Sequence, residues 1–508
     1  MANTLEMKSA SARGRWSAAS LTSPPPGDVM SWLIPRQSHW TGVMCLMGAV
    51  CLGTLAYQPA ICFASFGLLA PLANAAMVVL TLFGALSVLR RIAHKSPHGG
   101  GSIVLVETLL GGWTGKTIAV AASGIGVSYF LVVTTLSAAG AAEHLRHNPA
   151  FASAPAVLHN PTLLTMVFVL FVGAVCRPGF RGFIAAAVVF AALYIFLNLL
   201  VIAGGLWYLA AHPAVLVAWY ENVLAGRWCV GHESGADQGF VATASLWLSS
   251  FSVLAVGLSG LEIGLITMPL VRGQADDNPR KPEGRIRDSQ KMLTAAALVT
   301  SCMLLASSVV TSMVIDRHAL EPGGAAAHGA MSFIAHGGTA ARIGPLFGPV
   351  FGTIYDIITV AILWVAGAGS MSALLNWWSR YLPRQGRLSG PTGFAALAAL
   401  VTGIGLLMTW VFGGSVELQA GVCAAAVLVL MCNNCLAAAI IDWNRRPGRW
   451  YERVSWRYFG LMIVFACLAI AMVAHQPACL VVAAAFIVTA IMYRMIFRRR
   501  SAPALQSD

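Results

Sequence analysis

Apolar residues in this chain fall into twelve runs, at about 41–66, 70–93, 117–142, 162–177, 183–210, 240–271, 291–315, 348–376, 392–412, 416–441, 458–474 and 478–497. A helix needs roughly 20 apolar residues to cross a bilayer. The pattern therefore predicts an all-α polytopic membrane protein with about twelve transmembrane helices. The first, sixth and eighth runs are over-long, as broken or tilted helices are. Two of these are also interrupted. Leu52-Gly53-Thr54-Leu55-Ala56-Tyr57-Gln58-Pro59 sits inside the first, and Gly257-Leu258-Ser259-Gly260-Leu261-Glu262-Ile263-Gly264 inside the sixth. A plain spanning helix avoids Gly clusters, Pro and carboxylates, because hydrocarbon cannot satisfy freed backbone groups. Where such breaks occur, unwound backbone and half-helix ends bind solutes near the midplane. Each break opens a block of five runs, so the chain reads as two repeats, at about 40–211 and 240–441. Two additional helices follow in 442–497.

Composition narrows the class further. Of 508 residues 58% are hydrophobic and 10% charged, against about 25% charged in soluble proteins. No sizeable soluble domain fits between the runs. The formal charge of +13 raises the question of nucleic acid, but its distribution answers it. Basic residues gather in every second loop: Arg90, Arg91, Lys95 and Lys116; Arg177 and Arg181; Arg272 to Lys291; Arg380, Arg384 and Arg387; Arg445 to Arg457; and Arg494 to Arg500. The alternate loops hold little beyond Arg146, Arg227, Arg317 and Arg342. That alternation is the positive-inside pattern. It predicts a multi-pass cell-membrane protein, with a tail at 1–39 and another at 498–508, both cytoplasmic. The first tail has no apolar signal-peptide core.

Two loops on the opposite side are long. Pro213–Gly239 is one, and Arg317–Phe347 is the other, with a short helical signal around His328–His336 that suits either a lid or a connector. Pro97 and the glycines of Ser96-Pro97-His98-Gly99-Gly100-Gly101 stop a continuous helix, and Ile103 to Trp113 reads as an interfacial amphipathic stretch.

Several chemistries are excluded. Gly115-Lys116-Thr117 has Leu110 where a phosphate-binding loop needs Gly. Cys432-Asn433-Asn434-Cys435 lies in an apolar run without a second pair. His94 and His98 are separated by Pro97, and all twelve His fall in expected loops or span ends. No metal site, cofactor or enzyme activity is predicted, since clustered Asp, Glu or His at one interface is missing. The Arg445–Arg457 cluster with Trp443, Trp450 and Trp456 reads as a membrane-surface anchor.

Gly53 to Pro59, Ser96 to Gly99, Gly257 to Gly264, Met268-Pro269-Leu270-Val271-Arg272-Gly273, Gly284-Arg285-Ile286-Arg287 and Gly352-Thr353-Ile354-Tyr355-Asp356 together resemble a bacterial branch of the amino acid–polyamine–organocation transporters. The likeness runs from about Thr41 to Asp442, and Gly260-Leu261-Glu262 is similar to the family's Gly-x-Glu in the broken sixth helix. The resemblance implies a LeuT-type fold of two inverted five-helix repeats, with helices 1 and 6 broken, plus two extra helices. It also implies secondary active transport of amino acids or related amines across a bacterial inner membrane. In three places the chain departs from the family. Gly53-Thr54-Leu55-Ala56 has one Gly where a Gly-rich turn binds the substrate carboxylate, Val50 and Tyr129 stand at positions that are acidic in relatives, and Phe183 to Leu209 contains no Lys.

The candidate substrate residues are Leu52, Gly53, Thr54, Tyr57 and Gln58 at the first break, with Val256, Gly257, Leu258, Ser259, Gly260 and Glu262 at the second. Gly126, Phe130 and Val133 contribute from the third span. Glu262 is the outstanding charge, since a mid-membrane carboxylate costs about 2.5–3.5 kcal/mol. It reads as a gate or proton site, or as a cap on freed half-helix amides. Asp356, Thr359, Gly367 and Ser370 share one helical face. That face suits coupling-ion binding by Asp356, Thr359 and Ser370, or plain small-residue packing. The coupling ion is H⁺ or Na⁺. The alternatives to amino acid transport are carriage of an inorganic or organic cation, and a transporter-like sensor.

Overall fold

The computed structural model describes residues 37–177, 183–226 and 240–488, apart from 275, 279–280, 322, 328, 339–345, 382–390 and 448. The expected tails, as far as residue 36 and from 498 onward, lie outside these residues, as do Arg181, Arg384 and Arg387 and the loop stretch 227–239.

The described residues form helices, with two isolated bridges and no strand among them. The first run contains α1 (Trp40–Gly53) and α2 (Gln58–Phe66). The second begins as α3 (Ala70–Val79), loosens into a π-helical turn at Leu80–Ala85, and ends as α4 (Leu86–Lys95). A short α5 (Gly101–Leu110) precedes the long α6 (Gly112–His147), then α7 (Pro161–Cys176), α8 (Phe183–Ala211) and α9 (Pro213–Leu224). The second half opens with α10 (Phe240–Val253), α11 (Ser259–Thr267) and α12 (Glu283–Val314). Two loop helices, α13 (Arg317–Leu320) and α14 (Ala330–Ala335), lead into α15 (Pro349–Tyr381), α16 (Pro391–Val411) and α17 (Val416–Arg445). The chain continues through α18 (Trp450–Arg453), α19 (Trp456–His475) and α20 (Ala478–Val488). Nine helices among the described residues are long and apolar enough to cross a membrane, and the chain is a polytopic membrane protein.

Membrane helices are apolar all round, so both their buried and their outward faces are hydrophobic. α8 shows this, with Tyr194 and Val201 buried while Phe196, Leu199 and Trp207 face outward, Trp207 78% exposed. The center is different. α1 packs against α8, α11, α12 and α15, and α15 lies along α6, so the interrupted first run is enclosed by other helices.

Two sequence expectations need correction. The stretch expected as an interfacial amphipathic segment is an apolar helix, α5, whose Ile103, Val104 and Val106 are buried against α6 and α17. The third span runs past its expected limit at 142 to His147, because small residues at Ala138–Ala142 carry the helix on, and this places His144 in the interior.

The loop between α11 and α12 is tightly built. Ser38 pairs with Val271 through Ser38 N–H to Leu270 C=O and Arg272 N–H to Ser38 C=O, both at 2.9 Å. Asp277 accepts from the backbone N–H of Gln274, Gly284 and Arg285 at 2.8–3.0 Å, anchoring the loop on the start of α12. Desolvation works to raise its carboxyl, but the three donors outweigh it and hold the group below the usual carboxylate range.

Candidate functional site

The two expected breaks are 3₁₀ turns, and they meet. α1 ends at Gly53, Thr54–Ala56 tighten into a 3₁₀ turn, and Tyr57 (φ −128°) separates it from α2. Pro59, in the first turn of α2, has no N–H, so the donor that would close a helical bond to Leu55 C=O is missing. Thr54 Oγ1 donates to Cys51 C=O at 2.6 Å, and Tyr57 N–H donates to Thr54 C=O at 3.2 Å. The sixth run tightens at Leu254–Leu258, three residues ahead of the expected break at Gly257. Glu262 therefore lies in the first turn of α11.

Glycine permits the crossing. A Cβ on Gly260 would lie 2.7 Å from the backbone nitrogen of Cys51, and one on Gly257 would lie 3.0 Å from Gln58 Oε1. Gln58 is fully buried, and its Nε2 donates to Leu254 C=O at 3.4 Å. Its Oε1 has no hydrogen-bond partner. Tyr129 on α6 donates its hydroxyl to Ser259 C=O. Glu262 accepts at 2.8 Å from Asn434 Nδ2 on α17, so its observed partner is a side chain and not the half-helix amides of the capping alternative.

Leu52, Thr54, Tyr57, Gln58, Leu258, Ser259 and Glu262 are all buried in or beside this crossing. Gly53 faces elsewhere, toward Leu363 and Ala366 on α15. A small cavity of mixed lining lies behind the crossing, between Cys51, Asn74, Met77, Thr81, Leu261, Thr300 and Leu304 among others. Gly257 is the one predicted substrate residue on its wall. The π turn of the second span contributes Thr81, and the buried Asn74 Nδ2 is unpartnered.

The Asp356 stripe divides into two. Thr359 returns its hydroxyl to Tyr355 C=O of its own helix at 2.8 Å. Ser370 donates to Phe130 C=O at 2.9 Å, and Thr134 to Gly367 C=O at 3.4 Å, so the lower stripe is the seam between α6 and α15. Asp356, 3% exposed, belongs to a separate network. Its Oδ1 meets His144 Nδ1 at 3.1 Å and Ser332 Oγ at 2.6 Å; its Oδ2 meets Asn148 Nδ2 at 2.9 Å and His336 Nε2 at 2.8 Å. His144 also reaches the first break, with Nε2 3.4 Å from Ala56 C=O. Among the described residues no group of three His, Cys, Asp or Glu is arranged to hold a metal ion.

Sequence reasoning missed Asn434, His144, Asn148, Ser332 and His336. Asn433-Asn434 inside an apolar run was a readable signal. His144 had none, because its burial follows from the extra turn of α6.

No protein-family profile matches the sequence, and no curated protein matches it. Solved structures do match in fold. Two mutants of the manganese transporter of Eremococcus coleocola, one His-to-Ala and one Glu-to-Ala, each align over 94% of this chain and 97% of theirs. Each aligns at 10% identity with a TM-score of 0.50. The chain thus has a fold similar to that of a membrane transporter.

Proposed function

We propose that this protein is a secondary active transporter that moves a small cation, an inorganic ion or an amine, by alternating access and is driven by an ion gradient. On this reading the chain has twelve spans arranged as two inverted five-helix repeats plus two, with both termini cytoplasmic. The observation that carries the substrate class is the excess of oxygen at the crossing. Gln58 Oε1 is buried without a donor, Leu55 C=O has lost its helical donor to Pro59, and Glu262 adds a carboxylate. Buried acceptors are costly when unpaired, and a cation supplies what they lack.

An amino acid, the substrate implied by the family resemblance, needs N–H donors for its carboxylate. Tyr57 N–H is already engaged, and Pro59 has none. The Eremococcus transporter, whose fold is similar, carries a metal cation. That agrees with the reading at the level of fold only.

Counterflow in proteoliposomes tests it. Labelled Mn²⁺, Rb⁺, methylammonium and a zwitterionic amino acid are each offered against their own unlabelled pool. Exchange of at least one cation without exchange of the amino acid is expected. Exchange of the amino acid alone would overturn the substrate class, and binding without exchange would identify a sensor.

A further inference from the structure

A groove of about 460 Å³ opens on the side of the protein where the basic loops gather. The π turn and α4 form one wall through Leu82, Leu86 and Arg90. α12 adds Gln290, and α19 adds Arg457 and Tyr458. The walls are tied together. Gln290 Nε2 donates to Arg90 C=O at 3.0 Å, and Arg457 Nη2 donates to Phe83 C=O at 3.1 Å. Gly84 lets α19 approach the turn, since a Cβ there would lie 3.1 Å from Leu461 Cδ2.

Charge in this groove is unbalanced. Among the described residues that line it are three arginines and no carboxylate. Asp442 lies beside it, but Arg91 and Arg446 already share that group, Arg91 by a direct ion pair and Arg446 at 3.6 Å. Arg91 Nε is buried without a hydrogen-bond partner. Arg90 is exposed, and its guanidinium makes no hydrogen bond or ion pair among the described residues. Arg457, also exposed, uses one of its five donors on Phe83 C=O. What the groove lacks is an anion.

Position decides which anion. Nearer the middle of the same span, Phe83 is 70% and Val79 56% exposed, as lipid-facing side chains are. Trp456, 64% exposed, opens α19 beside Arg457 and suits the membrane–water interface. A ligand in this place meets guanidinium groups at one end and apolar surface at the other. Guanidinium forks match phosphate oxygens, and basic pockets between membrane helices attract acidic lipid headgroups.

We propose that this groove is a binding site for one anionic phospholipid. Arg90 and Arg457 hold the phosphate, and the acyl chains lie over Phe83 and Val79. Arg91 stays on Asp442 and adds its charge from behind. The site is independent of what the protein transports.

The test uses full-length protein in a neutral detergent, titrated with phosphatidylglycerol or phosphatidylcholine, with bound lipids counted by native mass spectrometry. One phosphatidylglycerol should stay bound under conditions that strip phosphatidylcholine. Its half-occupancy concentration should rise roughly fivefold in Arg90→Gln, and roughly 30-fold when Arg457→Gln is added. Lys116→Gln with Arg177→Gln removes the same charge outside the groove and should leave half occupancy unchanged. Thermal unfolding in phosphatidylcholine checks that each variant is folded. If the double variant is not, Arg90→Gln decides, because that side chain makes no polar contact to lose. Equal retention of the two lipids, an unshifted Arg90→Gln, or an equal shift in the control pair would overturn the site. Inorganic phosphate at matching concentrations should not displace the lipid. Displacement there would show that the groove reads phosphate alone, and would overturn the lipid assignment.

Discussion

Gly260→Ala is the sharpest probe of the helix crossing. The added Cβ would sit 2.7 Å from Cys51 N and 3.1 Å from Cys51 Cα, against the 3.4 Å at which ordinary contact begins. These neighbours are backbone, so no rotamer change relieves them, and α1 must move away from α11. Such overpacking costs about 1–3 kcal/mol. The opposing gain is the helix propensity of Ala over Gly, about 0.8–1 kcal/mol. Overpacking wins. Gly48→Ala is the matched control, because its Cβ would meet nothing within 4 Å, and it should be neutral or stabilising by up to about 1 kcal/mol. Cys51→Ala should not rescue Gly260→Ala, since the backbone nitrogen stays in place. Thermal unfolding of purified protein in one detergent reads all three. A Gly260→Ala protein as stable as the Gly48→Ala control would show that the crossing has slack, and the argument from close approach would fail.

Asn434→Leu removes the hydrogen-bond donor seen on Glu262, and a buried polar group left unsatisfied costs about 1–3 kcal/mol, so thermal unfolding should come earlier. Glu262→Gln keeps an acceptor for Asn434, so its stability should stay close to native while the concentration of cation needed for half-maximal exchange rises; unchanged exchange would remove Glu262 from the site. Asp277 is lowered in the folded state, so its contribution is fully present above the unfolded carboxylate value of about 3.9 and is lost as pH falls through the lower folded value. Amide exchange at Gly284 and Arg285, corrected for intrinsic rates, should therefore be protected at neutral pH and lose protection only in acid. Asp277→Ala, which leaves no side-chain acceptor, should be unprotected at both amides at neutral pH; equal protection in the variant would refute the anchoring role.

Much of the helical order was legible because the bilayer forces apolar runs of a minimum length, and breaks in those runs stand out. Gly257, Gly260 and Pro59 marked the crossing by composition alone. What stayed hidden depends on where helix ends fall. One extra turn of α6 buries His144, and a loop beyond α14 returns His336 to Asp356; neither follows from local periodicity. The polar stripe on α15 was visible, but sequence spacing shows which residues share a face and not which neighbour each one meets. Asp356 and Ser370 therefore looked alike, although Ser370 meets the middle of α6 while Asp356 meets the end of α6 and α14 together.

The pairing of Ser38 with Val271 has a mechanical consequence. Two backbone hydrogen bonds join the residues just before α1 to the chain just after α11. The outermost turn of one broken run is thereby yoked to the end of the other. A rearrangement that opens this side of the protein must carry both ends as one lever, pivoting at the 3₁₀ turns. Otherwise it must first break two hydrogen bonds, each worth about 0.5–1.5 kcal/mol. The hinge points and the tie sit at opposite ends of the same two half-helices, so the structure favors rotation of a coupled pair over independent swinging of either half.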